Sequence, residues 1–472
     1  MKALTLELLR RLPLAHVVLM CWSFIMDKTF LDNLFEKHRG PCYERELRFS
    51  TFVQLIRDAL VAKEDGARRT FERARESGEL PVSETATYGK LSRVPVKLSN
   101  AFLRYGAMQL SKLMPKDLWT PPRSLADFDL LCGDGKVVKH VQHRLKATRP
   151  FRGKLLGAKL LVVQNIRSGL AILMNASEEA ERNEVRLMDG VMEQIENDKP
   201  ILWVEDRQYS DLKMPRKFMQ NNGHFLIRYN RTMTFTADPQ RPACKGTDAS
   251  GRKYEEKWGW VGGKNRKDQL YVRIITLHRP ELVNDDIILM TDLIDSKLYP
   301  AVDLLECYRR RWGIEQMFQQ VTEVFNLKHL IGTTPKAVIF QSAFCLLLYN
   351  IIQIIRSYVA CDGGLSVEQV SGEKLFDDVH RELTGWAVMD ETKDTIKLLA
   401  IPLSPEQMCE KLKELLHWKR LWLKSKTRSR PSVGGRTIRV KSGRSSVFKL
   451  LEAARAEKKQ RQKRPRQKYA RC

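Results

Sequence analysis

Between residues 128 and 290 the hydrophobic positions fall into short apolar runs, separated by turn residues and by one helical stretch. The apolar runs predict strands at 128–132, 159–164, 169–174, 200–204 and 224–229. A helical period between the third and fourth runs predicts a helix over 178–195. This order of elements indicates an α/β fold in which helices flank a mixed sheet.

A polar stretch from about residue 231 to 283 interrupts that pattern and is rich in proline and glycine. One strand is predicted inside it, at 271–277, and the apolar run 287–290 returns to the main sheet. We therefore interpret this stretch as an inserted, mostly β element.

Helical periodicity is found on both sides of the strand region. Amphipathic patterns predict helices over 30–37 and 52–62, and longer patterns predict helices over 301–325 and 337–359. Arginines are frequent around the first two helices, which indicates a small N-terminal helical domain with a basic face. The alternative is an ordinary solvated surface.

Two apolar stretches, 12–26 and 337–355, have a composition close to that of membrane spans. The first is short and contains His16, and the second contains three amide side chains. Both fall short of a continuous apolar span of about 20 residues, so we predict buried helices and no membrane. Charged residues follow the first stretch where a signal peptide would have a small-residue cleavage site, so we expect a cytoplasmic protein.

The charge of the chain indicates a polyanionic partner. The 472 residues carry a formal charge of +26, and the segment 419–472 alone has 20 Lys and Arg against two Glu. We predict that the tail from residue 428 onward contacts DNA backbone without reading sequence, the alternative being a solvated, disordered run. The nine cysteines form no CxxC pair, and His140 and His143 have no partner at a zinc-binding spacing. Reduced structural cysteines and no zinc site are therefore expected.

Candidate chemistry is concentrated in three places. Tyr308, Arg311, Glu315 and Phe318 share one face of a single predicted helix, which places a carboxylate beside a guanidinium. Asp134 and Asp206 each follow an apolar strand, where active-site carboxylates of open sheets are common. Together the three carboxylates could hold magnesium ions for phosphoryl transfer.

Each of these residues also has an ordinary structural explanation. An aspartate at the end of a strand is usually a turn residue or a helix cap. A glutamate four residues after an arginine on a helix is commonly half of an ion pair. Residue types and local positions alone leave both explanations open.

The segment around Glu315 resembles the signature of the insertion-sequence-4 superfamily of bacterial transposases. That signature is Tyr, two residues, Arg, three residues, Glu, six residues and Lys. Tyr308, Arg311 and Glu315 match it, and Thr322 occupies the position of the lysine. The contexts of Asp134, in Gly-Asp-Gly, and Asp206, in Val-Glu-Asp-Arg, are similar to the family's two aspartate regions.

The resemblance implies a DDE transposase with an RNase H-like catalytic core. Asp134, Asp206 and Glu315 would bind two Mg²⁺ ions, for which Mn²⁺ could substitute. Water would hydrolyse a strand at the transposon end, and the freed 3′-hydroxyl would attack DNA. Tyr308 and Arg311 would contact phosphates near the cleavage site. The implied partners are double-stranded DNA and a second copy of the chain, in a bacterial cytoplasm with the nucleoid.

Two further kinds of residue are candidate DNA contacts. Arg207 directly follows the second aspartate. Trp258 and Trp260 lie in the insertion beside lysines, and the resemblance implies that one of them stacks on a base displaced from the duplex. The alternative is that both tryptophans are core residues of a small β domain.

The predicted organisation combines these elements into six segments. They are a helical DNA-binding domain at 1–122, an RNase H-like core at 123–230 and 286–360, a β-rich insertion at 231–285, a helical region at 361–427 and a basic, helical or disordered tail at 428–472. Two alternatives to a transposase remain open. One is a nuclease of RNase H-like fold without strand transfer, and the other is a decayed DNA-binding protein.

Overall fold

The computed structural model describes residues 7, 10–42, 44–61, 66–138, 157–195, 198–220, 222–248, 250–263, 268–278, 286–324, 331–332, 334–389 and 403–424. All of these belong to one compact unit, Met1–Lys424. The predicted basic tail and the two histidines His140 and His143 lie outside the described residues.

Six helices make up the N-terminal part of the described chain. Their bounds are α1 Pro13–Ile25, α2 Lys28–His38, α3 Phe49–Val61, α4 Gly66–Glu76, α5 Glu84–Leu91 and α6 Val96–Ser111. Side-chain caps help to fix where two of them begin, because Asp27 accepts from the Phe30 amide and Ser83 accepts from the Ala86 amide. The two amphipathic helices predicted in this region are confirmed as α2 and α3.

A single mixed sheet lies at the centre of the described chain. Its strands are β1 Asp129–Val138, β2 Ala158–Asn165, β3 Ala171–Ser177, β4 Ile201–Glu205, β5 Gly223–Arg228, β6 Phe235–Ala237, β7 Cys244–Thr247, β8 Lys253–Val261, β9 Leu270–Leu277 and β10 Ile287–Thr291. They run in the order β3-β2-β1-β4-β5-β10-β9-β8-β6, and β7 pairs with β8. Only β1–β4 and β4–β5 are parallel among these pairs. The first five strands therefore have the order and directions of an RNase H-like core, which confirms the predicted fold class.

Each face of the sheet is covered by its own helical layer. Helices α7 (Glu184–Met192) and α8 (Lys213–Phe218) cover one face, which we call the α7 face, and Trp203 packs there. The N-terminal helices and the later helices cover the other face, which we call the bundle face, and Leu202 packs there. Because successive strand residues point to opposite faces, this alternation decides where each polar side chain near the strand ends must go.

The C-terminal helices complete the bundle face. Their bounds are α9 Ala301–Arg310, α10 Trp312–Gln319, α11 Pro335–Asp362, α12 Gly372–Met389 and α13 Pro405–Leu415, and a π-helical turn, Gln320–Val324, follows α10. Helix α11 is long and apolar enough to cross a membrane, with a mean hydropathy of 2.0, but 94% of that window is buried inside the protein. The bent pair α1–α2 passes the same test of length and composition. Phe340 of α11 packs against Phe49 and Phe52 of α3, so α11 is the central helix of the bundle.

Two predicted elements differ from the observed ones. The helix predicted over 178–195 is shorter, because the Asn183 side chain caps α7 at the Val185 amide. The single helix predicted through Glu315 is broken at Arg311. There, amide bonds to carbonyls three residues earlier tighten the turn. Strands β6 to β9 lie within the predicted insertion, and β8 and β9 extend the main sheet through β10.

Candidate active site

Asp134 and Asp206 lie where the parallel pairing of their strands ends. β1 and β4 pair for three residues, and the last pair is Leu131 opposite Trp203. Asp134 follows three residues later, and Asp206 directly follows Glu205, the last residue of β4, in extended backbone. The alternation of side chains assigns both aspartates to the bundle face, so the fold brings the two predicted carboxylates to one edge of the core.

Asp134 is a strand residue, and the prediction that the strand ends before it is wrong. β1 continues to Val138, because Asp134 remains paired with Val162 of β2 after the pairing with β4 has stopped. Its two glycine neighbours keep extended backbone without adding side chains. The aspartate is therefore held by a regular ladder on one side and is free of strand pairing on the other.

The environment of Asp134 disfavours its charge. Burial, together with the nearby carboxylates Glu184 and Glu315, raises the pKa of Asp134 to about 6. The Gly135 amide and the Arg311 guanidinium act in the opposite direction. A carboxyl with this pKa changes protonation just below neutral pH, as groups in functional sites often do.

Arg311 and Glu315 form an ion pair across one turn of α10. Nη2 of Arg311 donates to Oε1 of Glu315 at 2.7 Å, and the Arg311 side chain is nearly buried. The ring of Tyr308 lies 5.7 Å from the guanidinium, and burial raises the pKa of this tyrosine. Burial acts to lower the pKa of Arg311, but Tyr308, Glu315 and Asp206 raise it by more, so the net effect is a higher pKa. The predicted Tyr-Arg-Glu group is thus assembled, and Arg311 links it electrostatically to Asp206.

The position of the family lysine is filled by a side chain that bonds to its own helix. Thr322 lies in the π-helical turn, and its hydroxyl donates to the Phe318 carbonyl at 2.6 Å. A π-helical turn shifts the side chains that follow it around the helix axis, and such turns are frequent at functional sites. No cation from position 322 reaches the carboxylates.

Three side chains at this edge were not predicted from the sequence. Glu205 is completely buried and accepts a hydrogen bond from the Gly133 amide. Glu184 forms an ion pair with Lys159. Tyr209 is buried in the short 3₁₀ turn that follows β4. Burial raises the pKa values of Glu205 and Tyr209. The sequence did contain a signal for Glu205. It follows the apolar residue Trp203 by two positions in a predicted strand, so it was expected on the same buried face, where acidic residues are rare without a partner.

Arg207 lies on the surface immediately after Asp206. It lines a cavity of about 530 Å³ between the end of β4 and the insertion, together with Ser210, Asn230 and Thr232. The lining mixes these polar side chains with the apolar side chains of Leu212 and Met233. This position keeps the predicted DNA contact of Arg207 open.

The two insertion tryptophans occupy different environments. Trp258 is 2% exposed, its indole N–H donates to the Ile294 carbonyl, and the Arg241 guanidinium lies 4.5 Å from its ring. Trp260 is half-buried and packs edge-on against Tyr271 at 5.0 Å. Trp258 is therefore a core residue, as the alternative explanation stated, whereas the ring of Trp260 is more accessible.

The matched family agrees with this geometry. Residues 126–351 match the family described as "Transposase DDE domain". These residues are therefore similar to a transposase DDE domain. The matched range begins just before β1 and ends inside α11, so it contains both aspartates, the insertion and the Tyr-Arg-Glu group.

Proteins similar to this chain are distant in sequence. The chain is 22% identical over 227 residues to a protein of Geobacillus stearothermophilus named "Probable transposase for insertion sequence element IS5377". The match covers 48% of this chain and 57% of that protein. A cryo-EM structure of a piggyBac transposase synaptic complex with hairpin DNA superposes with a TM-score of 0.39 and 11% identity, over 92% of this chain and 89% of that one.

A divalent cation fits the side chains of the candidate site in chemical type. Asp134, Asp206 and Glu315 offer the hard oxygen ligands that Mg²⁺ and Mn²⁺ prefer. A bound cation would offset the burial and the neighbouring negative charges that raise the pKa of Asp134. Within the described ranges, no group of three or more His, Cys, Asp or Glu side chains is arranged to hold a metal ion. Glu315 is paired with Arg311 instead, so a ligand set of all three would need Glu315 to leave Arg311.

Proposed function

We propose that the chain is an insertion-sequence transposase, related to the insertion-sequence-4 superfamily, that cuts DNA at the ends of its element and joins the 3′ ends to a target. One observation carries this proposal. Asp134 and Asp206 lie on one face of an RNase H-like sheet, next to the helix turn that holds Arg311 and Glu315. The match of residues 126–351 to a transposase domain supports it.

Asp134, Asp206 and Glu315 would hold divalent metal, Mg²⁺ or Mn²⁺. When bound, the metal supplies an activated oxygen nucleophile and neutralises charge on the phosphate. Because Asp134 has a pKa of about 6, it is mostly ionised at pH 7.5 and can serve as a ligand. Its strand pairing with β2 fixes its direction.

Arg311 would exchange partners when DNA binds. In this structure its guanidinium is bonded to Glu315. A DNA phosphate is a strong partner for a guanidinium, and it would compete for those donors. Binding of DNA at Arg311 would therefore free the Glu315 carboxylate, and Tyr308 would hold the guanidinium in place from the other side.

Other parts of the chain would bind DNA away from the reacting phosphate. The N-terminal helices would recognise the terminal repeats, while Arg207 and Trp260 would contact the strand near the cut. The basic tail would hold backbone without reading sequence. Two copies of the chain would act together in the cytoplasm, since pairing of two transposon ends requires two catalytic centres.

A strand-transfer assay tests this function against a nuclease that only hydrolyses DNA. Duplexes that end in the element's terminal repeat and carry a free 3′-hydroxyl are incubated with a supercoiled plasmid and Mg²⁺ or Mn²⁺. We expect the labelled 3′ end to become joined to the plasmid. Removal of the 3′-hydroxyl should stop joining while leaving duplex binding unchanged.

Nicking of the plasmid without joined product would show hydrolysis alone and would favour the nuclease. Binding without either product would favour a decayed protein, for which Thr322 is the supporting observation. A Thr322→Lys variant then decides whether the missing cation is the cause, because only a decayed transposase would regain joining.

A further inference from the structure

Glu205 is a buried acid in a position where a strand normally carries an apolar residue. It is the last residue of β4, it has 0% exposure, and it follows the buried Trp203 by two residues. Its side chain therefore points to the α7 face, whereas its neighbour Asp206 points to the bundle face. A buried carboxyl destabilises the fold unless its hydrogen bonds compensate for the lost hydration, so the contacts of Glu205 indicate its role.

The Glu205 side chain connects β1 and β4 beyond the point where their backbone hydrogen bonds end. The parallel pairing of β1 with β4 ends at Leu131 opposite Trp203. Two residues further along β1, the Gly133 amide donates to Oε1 of Glu205 at 2.8 Å. The link between the two strands is thus continued by a side chain, beyond the last backbone pair and next to both aspartates.

Glycines on β1 make room for this link. A Cβ added at Gly133 would lie 3.2 Å from Oε1 of Glu205 and 2.8 Å from Cε of Met188. A Cβ added at Gly135 would lie 2.0 Å from Cδ of Glu184. The two glycines that flank Asp134 therefore have a role on the opposite face, where they let carboxyl side chains approach the strand backbone.

The Glu205 carboxyl is not fully bonded. Its Oε2 atom has no hydrogen-bond partner among the described residues, and neither does the buried hydroxyl of Tyr209. A pure packing role would be filled better by an apolar side chain, because an unsatisfied buried polar atom destabilises the folded state. The bond to Gly133 is the contact that an apolar side chain could not replace.

We propose that Glu205 is a positioning residue that sets the separation of Asp134 and Asp206 by bridging the ends of β1 and β4. This inference rests on the proposed function, in which those aspartates hold metal. The bridge requires an acceptor oxygen at the end of a side chain of this length. A glutamine at position 205 keeps that acceptor, and a methionine keeps the length and loses it.

The test is Mn²⁺ binding to the full-length protein at pH 7.5, followed by the electron paramagnetic resonance signal of free Mn²⁺. The variants are Glu205→Gln, Glu205→Met and, as the reference for a lost ligand, Asp206→Asn. Residues that orient metal ligands typically change affinity by about 10- to 100-fold when they are replaced. We therefore expect at least a tenfold weaker affinity for Glu205→Met and an affinity close to wild type for Glu205→Gln.

If Glu205 had a purely structural role, its replacement would lower the melting temperature, and the Mn²⁺ affinities of Glu205→Met and Glu205→Gln would not differ in this way. Melting curves are therefore recorded for each, and Glu205→Asp, which shortens the bridge, replaces the methionine variant if that variant does not fold. Normal Mn²⁺ binding by Glu205→Met, or equal loss by Glu205→Gln, overturns the positioning role alone. Unchanged binding by Asp206→Asn overturns the metal site of the proposed function and this inference with it.

Discussion

Arg311 donates a hydrogen bond of 2.7 Å to Glu315 one helical turn later. This bond satisfies a carboxylate that the proposed function needs as a metal ligand. The pair also keeps a guanidinium beside Tyr308, in a position to meet a phosphate. The structure therefore shows Glu315 in an arrangement that suits the protein without DNA, and binding of DNA is the event that would change it.

Replacement of Glu315 by glutamine should abolish cleavage and leave DNA binding within a few-fold of wild type. The amide can still bond within the helix, but a neutral oxygen is a poor substitute for a carboxylate ligand. Cleavage of a labelled repeat duplex and gel-shift binding are measured together. The matched control is Glu306→Gln on α9, where the acid also pairs with arginines of its own helix, Arg309 and Arg310. Loss of binding in the Glu315 variant alone would show a structural role.

Replacement of Asp134 by asparagine should stabilise the protein. The folded chain holds the Asp134 proton more tightly than the unfolded chain, since the pKa rises from 3.8 to about 6. The contribution of this group to stability is therefore greatest below pH 4 and is lost as pH rises through about 6, a loss of about 3 kcal/mol. Asparagine has no charge to bury, so unfolding by urea at pH 7.5 in EDTA should show a gain of about 1 to 3 kcal/mol.

The pH dependence separates this effect from simple repacking. The gain should shrink as the pH falls and approach zero below about pH 3, where the wild-type carboxyl is mostly neutral in both states. Asp211→Asn, at an exposed position after Tyr209, is the control and should change stability little. An equal gain at every pH would contradict the assigned cause.

The tryptophans of the insertion should respond differently to alanine. Trp258→Ala removes a buried ring and its bond to the Ile294 carbonyl, so a loss of about 3 to 5 kcal/mol in unfolding free energy is expected. Trp260→Ala should cost less stability and should slow cleavage, if its ring stacks on a displaced base. Urea unfolding and single-turnover cleavage distinguish the two. Cleavage by Trp260→Ala at the wild-type rate would remove Trp260 from the DNA contacts.

Truncation after Lys426 should weaken non-specific DNA binding and flatten its dependence on salt. The removed segment carries 16 Lys and Arg and two Glu, and each phosphate contact contributes to the slope of affinity against salt concentration. Affinity for a random duplex is measured by fluorescence anisotropy from 50 to 200 mM salt. A slope equal to that of the full chain would show that the tail does not contact DNA.

Local patterns predicted the elements of the core well. The apolar runs at 159–164, 200–204 and 224–229 became β2, β4 and β5 within one or two residues, because a short run of apolar residues between turns has few other stable states. The run 287–290 was predicted to return to the main sheet, and it does so as β10. The patterns could not show that β9 pairs with β10, since strand pairing is a long-range property. They also missed the break at Arg311, where the amide bonds of a single turn decide the helix geometry.

The part of the site that depends on local spacing was predicted, and the part that depends on long-range pairing was not. Tyr308, Arg311 and Glu315 are neighbours in sequence, so their spacing was enough to place them together. The link between Glu205 and Gly133 joins residues 72 positions apart and depends on the end of a parallel ladder. No local pattern encodes that contact, although an acid in phase with buried strand residues marks the position.

The most direct test of the account is cleavage of a labelled DNA fragment that carries the element's own terminal repeats. Wild type, Asp206→Asn and the control Asp211→Asn are compared with Mg²⁺, with Mn²⁺ and with EDTA. We predict metal-dependent cuts at the repeat ends by wild type and by the control, and none by Asp206→Asn, although that variant still binds the fragment. Cutting by Asp206→Asn at the wild-type rate would contradict the assignment of the carboxylates to catalysis.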